Sequence, residues 1–352
     1  MTNNNILVAP LNWGMGHAAR CIPIIRALRE NGFTPIIASD GVALQLLIKE
    51  FPDLLALELP SYEIEYPKDG TRFRWKMVKS MPTMYEAVRR EKKQVKKWIA
   101  EYNLKGLISD NRLGVFSKKV PSVFVTHQLN VLTGNTTWLS TKLHQYIIKK
   151  YTECWVPDFE EKPNLSGKLG HIKNPDAKIH YIGPLCRLEK KVLPVKYDLM
   201  VLLSGPEPQR TMLEQKLQNE VRLYNKKVLF VKGIVEDDQI VEEDGQVTYY
   251  NFMTSEQIEQ ALNESEIVLC RSGYSTIMDL SKLGKKCFFI PTPGQYEQEY
   301  LAAKLKRDGI VPFAKQDNFR FENLLEVDLY KGLPTRESDI HWKHLLCLFE
   351  RE

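Results

Sequence analysis

The chain has 352 residues, 43% of them apolar and 26% charged, with 19 glycines and 19 prolines; this excludes disordered and collagen-like classes and gives length enough for two domains. No run approaches the roughly 18 apolar residues of a spanning helix, the start Met1-Thr2-Asn3-Asn4-Asn5 has no basic leader, and the six cysteines are scattered without a C-x-x-C, so a cytoplasmic protein is expected, neither secreted, membrane-integral nor zinc-binding. The formal net charge is +5, yet residues 71–100 alone hold ten Lys or Arg against two Glu, which leaves the remainder slightly acidic.

In chain order, residues 5–10 read as a short buried strand, followed by a glycine loop and a helix over 18–30 with Ile22, Ile25 and Leu28 at helical spacing. The unit recurs as strand 35–39, helix 42–50 and strands 55–57, 106–110 and 122–126, and the pattern continues through 153–157 and 180–184. The charged stretch 187–196 interrupts it and reads as a linker. The alternation restarts with strand 198–203, helix 209–224, strands 227–231 and 247–250, helix 255–262, strand 267–270, helix 275–283 and strand 287–290. A last helical pattern (Trp342, Leu345, Leu346, Phe349) lies within 341–352. The reading is therefore an α/β chain of two doubly wound, Rossmann-like domains facing across a cleft, 1–186 and 197–335, with 187–196 between them and 336–352 as a C-terminal helix. Ligands of such sheets bind at the carboxyl ends of the strands, so function is sought in the loops that follow strands.

The first such loop is Asn12-Trp13-Gly14-Met15-Gly16-His17-Ala18-Ala19-Arg20. Its glycines let the backbone approach an anion, and the helix start supplies N–H groups and partial positive charge. His17 at that start is expected to stay neutral, its pKa lowered by the dipole, and so to be ready to accept a proton. Gly14-x-Gly16-x-x-Ala19, with Asp40 as ribose partner, also matches a dinucleotide fingerprint, and a plain tight turn is a third reading. The second loop is Arg271-Ser272-Gly273-Tyr274-Ser275-Thr276-Ile277-Met278-Asp279. Gly273 frees the backbone, Ser275 and Thr276 present hydroxyls and amides in a first helical turn, and Arg271 adds charge, the components of a diphosphate cradle; N-capping by Ser275 is the plainer alternative. One βα unit further on, 291–300 is a proline-shaped turn whose Gln295, Gln298 and Glu299 are groups that hydrogen-bond sugar hydroxyls. Ser204 and Arg210 are candidate phosphate donors or turn residues. Asp110-Asn111-Arg112 and Thr126-His127-Gln128-Leu129-Asn130 are polar strand ends, read equally as cleft-facing groups or turn chemistry.

Together these motifs resemble the GT-B nucleotide-sugar glycosyltransferases of family 28, the group of the peptidoglycan lipid-intermediate N-acetylglucosaminyltransferase and the diacylglycerol glucosyltransferases. The resemblance spans most of the chain and is strongest over 248–303, where R-S-G-x-x-T-x-x-acid and a proline seven residues before Gln298, with Ala303 after it, keep the family's order and spacing. It implies a nucleotide-sugar donor, UDP-sugar first, bound by the second domain. Arg271, Ser272, Gly273, Ser275 and Thr276 would surround the diphosphate, Asp279 the ribose, Phe252 and Met253 of the Asn251-Phe252-Met253 loop the base, and Gln298 and Glu299 the sugar. It also implies that Gly14, Met15, Gly16, His17 and Arg20 face the acceptor and the diphosphate, that 127–130 lies near the acceptor, and that the last helix crosses back to the first domain. The chain departs from the pattern at Asp279, usually Glu, at Glu299, usually Gln, and at Asn12-Trp13, usually glycines.

The resemblance further implies direct displacement with inversion, moving GlcNAc or a hexose to a hydroxyl of a lipid-linked or glycan acceptor, with His17 the first choice of base and Asp110 and His127 behind it. No Asp-x-Asp triplet occurs, so a reaction without metal or cofactor is expected, with helix N-termini and Arg stabilising the leaving diphosphate. A nucleotide-sugar 2-epimerase and an NAD(P)-dependent oxidoreductase are the competing classes. In the basic block, Arg72, Arg74, Lys76, Lys79, Arg89, Arg90, Lys92, Lys93, Lys96 and Lys97 interleave with Phe73, Trp75, Met77, Met81, Met84, Val88 and Trp98. That composition suits an anionic membrane surface, at the inner face of the cytoplasmic membrane, or a solvated helix face. Nucleic acid is not expected, since no binding motif accompanies the charge.

Overall fold

The apolar runs of the first half form a seven-stranded sheet in the computed structural model, which describes residues 4–63, 73–133, 137–173, 175, 178–205, 207–222, 224–234, 236–335 and 340–350. Its elements are β1 (Asn5–Pro10), α1 (Met15–Glu30), β2 (Thr34–Ser39), α2 (Gly41–Glu50), β3 (Ala56–Glu58), α3 (Phe73–Glu101), β4 (Leu104–Asp110), β5 (Ser122–Val125), α4 (Thr137–Ile148), β6 (Glu153–Val156) and β7 (Ile179–Tyr181). The strand order is β3-β2-β1-β4-β5-β6-β7, parallel throughout. Ile6, Leu7, Val8 and Ala9 are buried at consecutive positions, so both faces of β1 are covered, as an all-parallel sheet requires.

The second unit repeats the plan with β8 (Tyr197–Leu202), α5 (Gln209–Val221), β9 (Val228–Val231), β10 (Val241–Asp244), β11 (Val247–Tyr250), α6 (Ser255–Asn263), β12 (Ser265–Cys270), α7 (Tyr274–Leu283), β13 (Lys286–Phe289) and α8 (Tyr296–Arg307). Its order is β10-β11-β9-β8-β12-β13, parallel except for the β10–β11 hairpin. The sequence reading missed β10, whose residues Val-Glu-Glu-Asp are all exposed and show no apolar face. It also missed α4 and α8; the turn read over 291–300 ends at Gln295, and Gln298 and Glu299 stand in the first turn of a helix. The unit's core is aromatic and aliphatic, with Phe230, Phe288 and Phe319 among its members.

Cys186–Glu337 belongs to the second compact unit, and Ser338–Glu352 belongs to the first, with Met1–Ile64 and Met77–Leu185. Phe349, next to the end of the described chain, lies against Gly106 in β4, where a β-carbon would sit 2.2 Å from a ring carbon. The glycine is therefore what admits the ring. The stretch read as a linker is pinned along the second unit: Glu189 N–H donates to Glu259 (2.7 Å) and Lys191 N–H to Asn263 Oδ1 (2.9 Å).

In each sheet the winding reverses once, between β1 and β4 and between β8 and β12. The glycine loop of 12–20, Ser204 and the Arg271 loop follow β1, β8 and β12, Asp110 ends β4, and the 291–300 turn follows β13. Beside the first reversal, the fully buried Arg112 donates to the Pro10 carbonyl (3.0 Å), to Glu91 (2.9 Å) and to Asp40. Glu91 also accepts from Tyr62 Oη (2.7 Å) and from Gly114 N–H (2.7 Å). Burial pushes the Glu91 carboxyl pKa up, with the Arg112 charge opposing it. Arg112→Met would leave two buried carboxylates without their cation and is expected to destabilise the protein by about 3–5 kcal/mol, read from urea denaturation; a loss under about 1 kcal/mol would mean that Asp40 and Glu91 repartner.

Candidate functional site

In the first unit the site grows from the β1–α1 turn. Gly14 caps α1 at φ 79°, a left-handed conformation that favours glycine, and no side chain caps the helix. His17 stands in the first turn, and Arg20 follows three residues later on the same face. Asp110 is the last residue of β4, directly beside Pro10 in register. His17 Nδ1 lies 2.8 Å from Asp110 Oδ1. Arg20 grips both Asp110 oxygens through Nε and Nη2, and its Nη1 donates to His127 Nδ1 (3.0 Å).

The neighbouring charges set the ionisation of the trio. Burial would raise the Asp110 carboxyl pKa, but Arg20 and then His17 outweigh it and hold it at about 2, so Asp110 is an anion and acts as an acceptor. His17 Nδ1 faces two partners, Asp110 Oδ1 and Arg20 Nη2, each at 2.8 Å; with Nδ1–H donating to Asp110 the ring keeps its lone pair on Nε2, and with Arg20 donating to Nδ1 the proton sits on Nε2. Burial, followed by the Arg20 charge, holds the His17 pKa below its ordinary 6.5, so the ring is neutral near pH 7. Of the trio His17 alone reaches solvent, at 15% side-chain exposure against 2% for Arg20 and 0% for Asp110. An oriented, neutral imidazole backed by a buried carboxylate is the geometry of a general base.

The other first-unit candidates fall into place around it. Arg20, expected to face an acceptor, is buried and bound to Asp110 instead. Asp110 is too buried and too firmly anionic to exchange protons at neutral pH; it orients His17. His127 is buried and accepts at Nδ1, because a guanidinium can only donate, which puts its proton on Nε2 and makes it a donor there. Asn130 directs its amide to the Lys168 (2.6 Å) and His171 (3.1 Å) carbonyls and so shapes its own loop. Gly14, Met15 and Gly16 are half-buried at the helix start. Asp40, the ribose partner of a dinucleotide site, is buried and held by Arg112 and by Asn12 Nδ2 (3.0 Å), which removes that reading's key acid. One residue went unread, His144 on α4: its Nε2 is buried without a partner among the described residues, and burial, then His127, push its pKa down to about 4. A lone His in an unrecognised helix gave no sequence signal.

In the second unit three loops converge beyond β8, β12 and β13. Arg271, 1% exposed, donates to the Ile290 (3.1 Å), Pro291 (3.2 Å) and Gln209 (2.9 Å) carbonyls and to Gln316 Oε1 (2.8 Å). All four acceptors are uncharged, so Arg271 ties the loops together and leaves a buried positive charge beside the start of α7. Gly273, not Ser275, is the N-cap of α7, and no side chain caps that helix. Ser275 and Thr276 follow in its first turn, half-buried. Ser272 is fully buried and donates to the Gln298 carbonyl (2.8 Å).

Asp279, also half-buried, stands one turn on, its pKa raised by burial against Arg187, the Cys186 thiol and the Arg187 backbone. Ser204 lies half-buried in the β8 loop. Arg210 does not suit a phosphate: Glu207 (2.5 Å), Glu214 (2.6 Å) and the Lys232 carbonyl (3.0 Å) occupy its guanidinium. The half-buried Phe252 and Met253 follow Asn251, whose Oδ1 accepts from Phe252 N–H (2.9 Å), while Gln239 donates to the Phe252 carbonyl (2.7 Å). Thr292 Oγ1, Gln295 Oε1 and Arg271 Nε are buried with no hydrogen-bond partner among the described residues. Such a concentration of unmet polar atoms at loop ends marks a place for a polar ligand or water. No group of three or more His, Cys, Asp or Glu able to hold a metal ion occurs among the described residues.

The family model of the glycosyltransferase family 28 C-terminal domain matches residues 206–338. A curated relative is the UDP-N-acetylglucosamine--N-acetylmuramyl-(pentapeptide) pyrophosphoryl-undecaprenol N-acetylglucosamine transferase of Haemophilus ducreyi, 21% identical over 222 residues. The match takes in 61% of this chain and 59% of that protein, so the chain spans about three fifths of that relative's length. The crystal structure of Acinetobacter baumannii MurG is similar in fold at a TM-score of 0.56 and 11% identity, over 99% of this chain and 100% of that one. A structure described as a UDP-N-acetylglucosamine 2-epimerase from Listeria monocytogenes gives 0.62 at 12% identity, over 98% and 95%. Residues 206–338 thus match the glycosyltransferase family 28 C-terminal domain, and the fold of the chain is similar to that of the GT-B glycosyltransferases.

Proposed function

We propose that the chain transfers a sugar from a nucleoside diphosphate donor, a UDP-sugar, to an acceptor hydroxyl with inversion and without a metal ion. The observation that carries this reading is the His17–Asp110 pair, a neutral base with its open nitrogen at the first unit's switch point, in a chain whose second unit carries the family 28 domain. In this reading His17 Nε2 removes the acceptor proton as the hydroxyl attacks the anomeric carbon, and the leaving diphosphate gathers its charge at the start of α7. The uncapped helix N-terminus and the buried Arg271 charge support that role through their field. Ser275 and Thr276 contact the diphosphate, Asp279 the ribose, and the Phe252–Met253 loop the base. Gly14, Met15 and Gly16 border the acceptor.

The acceptor we propose is lipid-linked, as the name of the Haemophilus ducreyi relative states for that enzyme, and the setting is the cytoplasmic face of a membrane. No helix among the described residues is long and apolar enough to cross one. Arg72 and the side chains of 73–81 in the basic block lie outside what is described. Over the rest of α3, Val88 and Trp98 pack into the core while Arg89, Arg90, Lys92, Lys93, Lys96 and Lys97 are exposed, which makes this face a cationic ridge. Exposed apolar groups stand on α4, where Trp138, Leu139, Leu143 and Tyr146 are each more than half exposed, and on α3 at Tyr85. Lys92 lies 4.6 Å and Lys150 5.9 Å from the Phe116 ring, and Lys150 lies 4.5 Å from the Tyr146 ring, so Phe116 connects α3 to the end of α4. Aromatic and aliphatic groups rimmed by lysines suit an anionic lipid interface.

Four outcomes test the proposal. His17→Ala is expected to lower kcat by about 10²–10⁴ with UDP binding unchanged. Since burial and Arg20 lower the His17 pKa, the acid limb of kcat/KM should fall below 6.5; Asp110→Asn removes two influences that raise it, so the limb should move further toward acid while kcat drops. Donor turnover that needs no acceptor would instead identify an epimerase. In co-sedimentation, Trp138→Ser with Leu143→Ser should abolish binding to phosphatidylglycerol vesicles without lowering Tm; retained binding would free this surface from the lipid role.

A further inference from the structure

We infer that Thr292 and Gln295 are the side chains that read the donor sugar in this protein, a role that the resemblance assigned to Gln298 and Glu299. The inference rests on the nucleotide-sugar reading of the second unit. Gln298 is buried, its Oε1 accepting from Thr292 N–H (2.8 Å) and its backbone carbonyl from Ser272 Oγ (2.8 Å). Glu299 Oε1 accepts from Gly294 N–H (3.0 Å). Both side chains therefore bind the backbone of the 291–295 loop and set its shape.

The groups left for a ligand are the two ends of that loop's turn. Gln295 N–H donates to the Thr292 carbonyl (3.1 Å), and Gly294, at φ 78° behind Pro293, completes a type II turn that brings residues 292 and 295 together. Arg271 holds the entry to the turn through the Ile290 and Pro291 carbonyls, so the turn is fixed rather than slack. Thr292 Oγ1 and Gln295 Oε1 are nonetheless buried and unpartnered. Gly205, in the loop after β8, leaves room beside the hydroxyl: a β-carbon there would stand 4.0 Å from Thr292 Oγ1.

The chemistry of the pair selects the ligand class. Thr292 can donate or accept, whereas Gln295 Oε1 can only accept. A phosphate oxygen could take the Thr292 proton but would oppose the Gln295 oxygen. A sugar hydroxyl satisfies both, accepting from Thr292 and donating to Gln295. A site built to hydrogen-bond a hydroxyl discriminates strongly against a sugar that places none there, because the buried groups then stay unpaired.

The test is calorimetric titration of the full chain, as wild type, Thr292→Val and Thr292→Ser, with UDP, UDP-glucose, UDP-galactose and UDP-N-acetylglucosamine. The inference expects Thr292→Val to weaken the tightest-binding UDP-sugar by about tenfold or more while UDP shifts less than about twofold, with Thr292→Ser restoring wild-type affinity to within about threefold. Equal effects on UDP and UDP-sugar, or none on either, would overturn it while leaving the donor site standing, and would hand the hydroxyl to a trapped water. A wild-type protein that binds none of the four would overturn the nucleotide-sugar reading itself.

Discussion

Buried guanidinium groups hold the strand-end loops of both units. Where a parallel sheet reverses its winding, neighbouring loops leave in opposite directions, and their carbonyls need donors that no strand supplies. A guanidinium offers five N–H groups in a rigid fork and can satisfy several loops at once. Arg112 joins the ends of β1 and β2 to α3 through Pro10, Asp40 and Glu91. Arg271 joins the loops after β8, β12 and β13 through Gln209, Ile290 and Pro291. Arg20 ties α1 to the end of β4 through Asp110. Function-bearing loops thereby gain fixed positions.

The same arginines set the electrostatics. Around Arg20 the positive charge is matched by Asp110, and both of them touch the neutral His17. Around Arg271 no carboxylate answers the charge; its acceptors are carbonyl and amide oxygens. One buried cation therefore holds a carboxylate beside a neutral imidazole, while the other is met only by uncharged acceptors. The division follows from what stands at the end of the neighbouring strand, Asp110 after β4 in the first unit and the uncharged Ser204-Gly205 loop after β8 in the second.

Much of this was legible beforehand. Apolar runs such as Ile6-Leu7-Val8-Ala9 and Val268-Leu269-Cys270 are continuous because their strands are buried on both faces, so the α/β class and the glycine loops after strands could be read directly. Elements without an apolar stripe could not: β10 is wholly exposed, and α4 presents Trp138, Leu139, Leu143 and Tyr146 to solvent rather than to a core. The basic block was legible as charge, but which of its apolar neighbours pack inward became visible only in α3.

Residue type and spacing alone determined the two alternating α/β halves, the loops that would carry function, and His17 at a helix start. They could not determine how the polar side chains in those loops are used. Arg20 and Arg210 each look like a ligand-binding cation, and Gln298 like a sugar contact, yet each is engaged with carboxylates or backbone groups that folding brings to it from elsewhere or from its own helix. The physical reason is that buried polar atoms must find partners, and those partners are mostly distant in sequence: Asp110 lies ninety residues from Arg20 and Ile290 nineteen from Arg271. Only the tertiary structure shows which polar groups are already satisfied and which, Thr292 Oγ1 and Gln295 Oε1 among them, are buried without a partner among the described residues.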